Sequence, residues 1–329
     1  MDKLIAAFPD NIREALDIAS AIKLQKPTHE IRSILITGMG GSGIGGKIVS
    51  QWIQDEISVP VTLINDYNLP HFVNEYTLVI GSSYSGGTEE TLISLEKAKQ
   101  QGAHIICICS GGEIEQFCLQ NNYDCIIIPG GKPPRTQLAY SVVQQVNIYS
   151  QLGFISNERL SHIKNSVALI EDNCVEIKEK AKELAHFLEK KVGIFYSASR
   201  YEGVAIRARQ QFEENAKYLC WHHVIPEMNH NELVGWGGGD DRFAVVFIQT
   251  NDYIPRNQRR YEITKNIVSQ KTAHVAEIIA KGENPIERSF YLIHLVDWSS
   301  FYLSEINAVD PMDIDVIYYL KGELAKFQG

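Results

Sequence analysis

The chain has 329 residues, about twice the length of an ordinary domain, so two domains are expected. Its 44% hydrophobic and 22% charged residues are globular proportions, which exclude a disordered tail protein or a fibre. With 31 Lys+Arg against 40 Asp+Glu the formal charge is −9, the wrong sign for a nucleic-acid or anionic-membrane binder.

An anionic substrate therefore has to be attracted locally, against the global field. No apolar run approaches the roughly 18–20 residues of a membrane helix. The start, MDKLIAAFPDN, has too short an apolar core for a signal peptide. These features make the cytoplasm the expected compartment. The six cysteines (107, 109, 118, 125, 174 and 220) include no C-x-x-C pair and are expected as buried free thiols.

Short β-branched runs alternate with helix-length amphipathic segments, the pattern of a parallel sheet covered by helices. Strands are predicted at Ser33–Thr37, Val61–Asn65, Thr77–Gly81, His104–Cys109 and Asp124–Ile128. Helices are predicted at Gly43–Asp55, Glu89–Gln101 and Gln137–Leu152. The stretch Asn157–Lys190 reads as one or two connecting helices. Strands then resume at Val192–Tyr196, Leu219–Val224, Phe243–Gln249 and Thr272–Ile278, with a helix at Tyr201–Tyr218. Two helices, Glu287–Ile306 and Pro311–Phe327, close the chain. The expected fold class is α/β, with two doubly wound parallel-sheet subdomains, residues 1–153 and 154–329.

The first predicted strand runs into Gly38-Met39-Gly40-Gly41-Ser42-Gly43-Ile44-Gly45-Gly46. Gly38, Gly40 and Gly43 satisfy G-x-G-x-x-G, and Asp66 ends the next strand where a ribose-binding acid would sit. An NAD-dependent dehydrogenase is thus one reading. A second loop, Ser82-Ser83-Tyr84-Ser85-Gly86-Gly87-Thr88, also opens a helix and is rich in hydroxyls. Such a nest of donors suits a phosphate monoester, and a dinucleotide enzyme needs no second cup. Strand alternation turns Ser82 away from Ser83 and Ser85.

The pair GMGGSGIGG and SSYSGGTEET resembles the sugar isomerase (SIS) domain, a phosphosugar-binding α/β module. The resemblance implies that Ser83, Ser85 and Thr88 hold phosphate while Gly40, Gly41 and Ser42 line the sugar. That module also serves in non-catalytic phosphosugar sensors, so binding alone does not make an enzyme.

Chemistry needs an acid–base pair, and the second half offers Glu213, Glu214 and His230. A carboxylate can move a proton next to a carbonyl, and histidine can shuttle one during ring opening near neutral pH. Glu214 and His230 fit those tasks, although spacing alone favours a solvated helix end and a structural or surface histidine. His222, His223 and His230 lack metal-ligand spacing, so no metal is expected.

The segments PGGKPPR, EENAK, PEMNHNE and LVDWSSFYLSEINAVDP resemble the bifunctional phosphoglucose/phosphomannose isomerase family, two tandem SIS domains, from about residue 10 onward. The resemblance implies that Glu214 is the isomerisation base and His230 opens the sugar ring. It further implies that Arg135 stabilises the intermediate's charge and that Lys321 reaches the site from the last helix. It implies no cofactor, a phosphosugar substrate, and a homodimer in which His230 serves the neighbouring subunit. Members that accept both epimers carry a threonine near the C-terminus. This chain has none after Thr272, leaving Ser299, Ser300 and Ser304 as hydroxyls in that region.

Overall fold

β-Branched and aliphatic residues stiff at χ1 make the strands, and alternation decides which face each one covers. The computed structural model describes residues 1–327. The first half runs α1 (Asp2–Ala6), α2 (Phe8–Ala21), β1 (Ser33–Thr37), α3 (Gly40–Ile53), β2 (Val61–Ile64) and β3 (Thr77–Ser83). It continues with α4 (Glu89–Gln100), β4 (His104–Cys109), α5 (Gly112–Asn121), β5 (Asp124–Ile127) and α6 (Leu138–Gln151). Two connecting helices follow, α7 (Glu158–Asp172) and α8 (Cys174–Leu188). The second half holds β6 (Val192–Ala198), α9 (Glu202–Ala216), β7 (Trp221–Ile225), α10 (Glu232–Gly235) and β8 (Phe243–Gln249). It closes with α11 (Pro255–Val268), β9 (Val275–Ile279), α12 (Pro285–Ile306) and α13 (Asp315–Leu324).

All strand pairs are parallel, in a five-stranded sheet of order β2-β1-β3-β4-β5 and a four-stranded sheet of order β7-β6-β8-β9. The predicted α/β class with two parallel sheets is what the chain adopts. Alternation sorts the strand residues into layers. Ile34, Ile36, Leu78 and Ile80 of the first sheet share one core with Phe195, Val246 and Ile248 of the second. Leu35, Val79 and Ile105 face the opposite way, under α4 and α5. Ile194, Val245 and Phe247 do the same under α11. Helices α6 and α12 lie inside the shared core, which explains their almost continuous burial.

Several predicted boundaries move. Helix α3 begins at Gly40 rather than Gly43, and β7 begins at Trp221 rather than Leu219. Helices α1, α2, α5, α10 and α11 carry no counterpart in the sequence reading. Four cysteines are buried, whereas Cys125 and Cys174 are only partly covered; all six are free thiols. No helix among the described residues is long and apolar enough to cross a membrane.

The parallel register, with Thr37 beside Gly81, brings both following loops out at the same sheet edge, β3 running two residues further to Ser83. The β3 loop is locked there by close packing. Gly86 has φ +70°, and a Cβ on it would lie 1.6 Å from the Gly111 carbonyl oxygen. Gly86→Ala should therefore lower unfolding stability by about 2–3 kcal/mol or more, combining a left-handed backbone with a steric clash. Urea denaturation measures this, and an unchanged midpoint would refute the packing described.

Candidate active site

The order of the first sheet reverses direction between β1 and β3, the switch point where α/β sheets open a crevice at the strands' C-terminal ends. Both glycine-bearing loops face that crevice. Ser42 is buried and its Oγ accepts a hydrogen bond from the Tyr84 amide at 3.0 Å, tying the first turn to the second loop. Gly40 sits at φ +52°. Gly41 packs so close to Pro134 that a Cβ would lie 3.3 Å from its carbonyl oxygen. The first turn thus touches the segment leading into Arg135.

In the second loop, Ser83 Oγ and Thr88 Oγ1 are 2.7 Å apart, and the Gly86 amide donates to Ser83 Oγ at 3.2 Å. Ser82 points the other way, to Ser141 Oγ at 3.3 Å, as alternation requires. Ser85 is exposed and accepts from the Gly87 amide at 3.4 Å. Thr88 immediately precedes α4, whose first amides lack intrahelical partners. Hydroxyls and helix N-terminus together form an anion-binding arrangement.

Arg135 lies in a single 3-10 turn after β5 and is 4% exposed. Its Nε donates to Asn215 Oδ1 at 2.8 Å, Nη1 to Glu214 Oε2 at 3.3 Å, and Nη2 to the Pro311 carbonyl at 2.5 Å. Burial pushes this guanidinium below its usual range, and the nearby Glu214 carboxylate pulls it back up. The first half's arginine is thereby fastened to the second half's glutamate. Glu213 behaves differently. It pairs with Arg209 at 3.3 Å, one helical turn earlier, and burial raises its pKa. Of the two adjacent glutamates, Glu214 is the one directed at Arg135.

Supporting groups surround this pair. Arg207 donates to the Arg135 carbonyl at 2.9 Å and to Asp297 Oδ2 at 2.7 Å, while Gln211 donates to Asp297 Oδ1 at 2.9 Å. Asn215 Nδ2 donates to Ser300 Oγ at 2.9 Å. Lys217 ends α9 in the left-handed conformation and donates to the carbonyls of Glu214, Asp310 and Asp313 at 2.7–2.8 Å. Sequence reasoning assigned no role to Asn215, Lys217, Arg207 or Asp297. All but Arg207 sit within the quoted EENAK and LVDWSS segments.

Two predicted residues lie elsewhere in the chain. His230 is exposed in a 3-10 turn beyond β7. In a parallel β-α-β unit the crossover helix runs antiparallel to the strands, so the C-terminal end of α9 and the C-terminal end of β7 lie at opposite sheet edges. A five-residue strand puts roughly 16 Å between them. Lys321 is on the exposed helix α13, whose preceding segment touches Arg135 through Pro311.

Comparisons with known proteins identify the family and the fold. Residues 29–152 match the SIS domain, and residues 177–324 match the bacterial phospho-glucose isomerase C-terminal SIS domain. A bifunctional phosphoglucose/phosphomannose isomerase of Caldicellulosiruptor bescii is 35% identical, over 98% of both chains. One from Aquifex aeolicus is 33% identical, over 92% of this chain and 93% of that one. Among solved structures, the C-terminal domain of glucosamine-fructose-6-phosphate aminotransferase from Francisella tularensis superposes with a TM-score of 0.76 at 17% identity. It covers 94% of this chain and 96% of its own. Tagatose-6-phosphate ketose/aldose isomerase from Escherichia coli gives 0.70 at 14% identity, covering 94% of each. The structural neighbours speak for the fold, and the full-length sequence relatives for the kinship. This chain belongs to the bifunctional phosphoglucose/phosphomannose isomerase family.

Proposed function

We propose that the protein is an aldose–ketose isomerase that interconverts glucose 6-phosphate, and also mannose 6-phosphate, with fructose 6-phosphate. The observation that carries this reading is the Glu214–Arg135 contact beside a hydroxyl-lined phosphate loop, in a chain of this family. Ser83, Ser85 and Thr88, at the N-terminus of α4, anchor the phosphate, with Gly40, Gly41 and Ser42 along the sugar. Glu214 removes the C2 proton of the open-chain aldose and returns it to C1 through a cis-enediol. Arg135 holds the negative charge that develops on the enediolate oxygen, where a fixed cation stabilises the transition state more than the substrate. Lys321 adds a second cation from α13. Nothing in these steps calls on a metal or nucleotide.

Ring opening needs a proton shuttle, and His230 supplies it from a neighbouring subunit. Its position at the far edge of the second sheet from Glu214 supports that assignment. The working unit is then a two-fold homodimer with two equivalent sites. A cytoplasmic setting belongs to the same proposal, because a phosphate ester's charge keeps the substrate from crossing a bilayer.

A coupled assay with EDTA present and no added nucleotide should show turnover of both aldose phosphates. Glu214→Gln should lower that turnover by about 10²-fold or more, since it keeps the shape and removes the base. Near-normal turnover in this variant would refute the assigned base. No turnover of either aldose by the wild type would refute the function itself.

The shared site is checked by complementation. Glu214→Gln and His230→Ala chains, each with only weak residual activity, mixed under conditions of subunit exchange, should regain on the order of a quarter of wild-type activity. Half of randomly paired dimers are mixed, and each mixed dimer rebuilds one of two sites. Persistent inactivity despite demonstrated exchange would place His230 in its own subunit's site.

A further inference from the structure

The turn that carries His230 is pinned on both sides. Met228 is fully buried, and Asn229 Nδ2 donates to Thr264 Oγ1 on α11 at 2.7 Å. Asn231 Nδ2 donates to Glu227 Oε1 at 3.2 Å, and its Oδ1 accepts the Glu232 amide at 2.5 Å. Between the two asparagines the His230 ring stays exposed.

The strongest tie is Glu232. One carboxylate oxygen accepts from the Tyr196 hydroxyl on β6 and from Trp221 Nε1 on β7 at 3.1 Å. The other lies 2.5 Å from His223 Nδ1, also on β7. Tyr196 itself accepts from Trp236 Nε1 at 2.9 Å, and burial pushes its phenol further toward the protonated, donating form. An ionised carboxylate accepts only, and here three donors from two strands converge on it. This convergence ties the turn to both β6 and β7 at once. Its effect is to fix the backbone two residues after His230 against the second sheet.

We infer that Glu232 is a positioning residue for His230: its carboxylate, clamped by Tyr196, Trp221 and His223, holds the turn so that the imidazole is presented at one fixed angle to the sugar ring it opens. This rests on the ring-opening role given to His230 above. Glu232 touches no substrate and acts through the turn alone. A neutral amide in its place keeps the volume, yet offers one acceptor oxygen where three donors expect two, and sets an N–H against a donor.

The test is a double-mutant cycle, read as isomerisation kinetics and as enzyme-catalysed exchange between the α and β anomers of glucose 6-phosphate by NMR. Glu232→Gln should lower both kcat and anomer exchange by about 10–30-fold, the usual scale for outer partners of a catalytic group. Its KM should stay within about twofold of wild type, because the phosphate loop is untouched. In a His230→Ala background the same change should cost under about twofold more, since residues acting through one group are non-additive. Tyr196→Phe, which removes one donor, should lower anomer exchange by a few-fold, and it stands in if Glu232→Gln does not fold. Full anomer exchange in folded Glu232→Gln, or in Tyr196→Phe when it stands in, would overturn the inference while leaving His230 its role. So would an equal loss with and without His230. Full exchange in His230→Ala alone would overturn the histidine's role, and that of Glu232 with it.

Discussion

A guanidinium that is almost wholly removed from water must have its donors satisfied, or the protein does not keep it there. Arg135 meets that demand through Asn215, Glu214 and the Pro311 carbonyl, none of which lies in its own half of the chain. On top of the core that the two sheets share, the two halves are thus fastened at the site by one desolvated cation. Each partner is held in turn. Ser300 and Asp297 on the buried helix α12 fix Asn215 and Arg207, and Arg207 holds the Arg135 backbone. Burial raises the Asp297 pKa and Arg207 opposes that rise, the pattern of an ion pair retained where water cannot solvate it.

The same constraint shapes the proposed chemistry. The base and the cation that steadies the intermediate are neighbours before any substrate arrives, so little reorganisation is left for the reaction step. In the proposed function, a chain of net charge −9 gathers its attraction for a phosphosugar into Arg135, Lys321 and the amides and hydroxyls of one sheet edge. Because α9 runs antiparallel to its strands, the fold delivers Glu214 to one edge of the second sheet and His230 to the other. In the proposed homodimer, two-fold pairing of chains would bring such edges together without altering the fold.

Much of this was legible in the sequence. Ser82 was separated from Ser83 by strand alternation alone, and the structure sends them to Ser141 and Thr88 respectively. The two loops were recognisable because glycine and hydroxyls cluster where strands give way to helices. Helix α11 was not, since only Tyr261, Thr264 and Val268 are buried in a run rich in arginine and asparagine. Helix α5 buries just Ile114, Phe117 and Cys118. The partners of Arg135 were out of reach for another reason. Asn215 and Pro311 lie 80 and 176 residues away, and no local periodicity encodes a contact of that span. Lys217 likewise carries no local signal, because two of its three carbonyl partners, Asp310 and Asp313, lie more than 90 residues away. Residues 328 and 329, within the second predicted domain, lie outside the described residues.

One buried arginine thus ties the two halves together at the site and, in the proposed reaction, steadies the intermediate. Lysine keeps the charge but loses the planar fork that reaches three partners at once. Turnover and thermal unfolding of Arg135→Lys, measured on the same preparation, test this most directly. The account predicts that kcat falls by about 10²-fold or more and that the melting temperature falls with it by several degrees. Wild-type turnover in the lysine variant, or a lost turnover with an unchanged melting temperature, would contradict it.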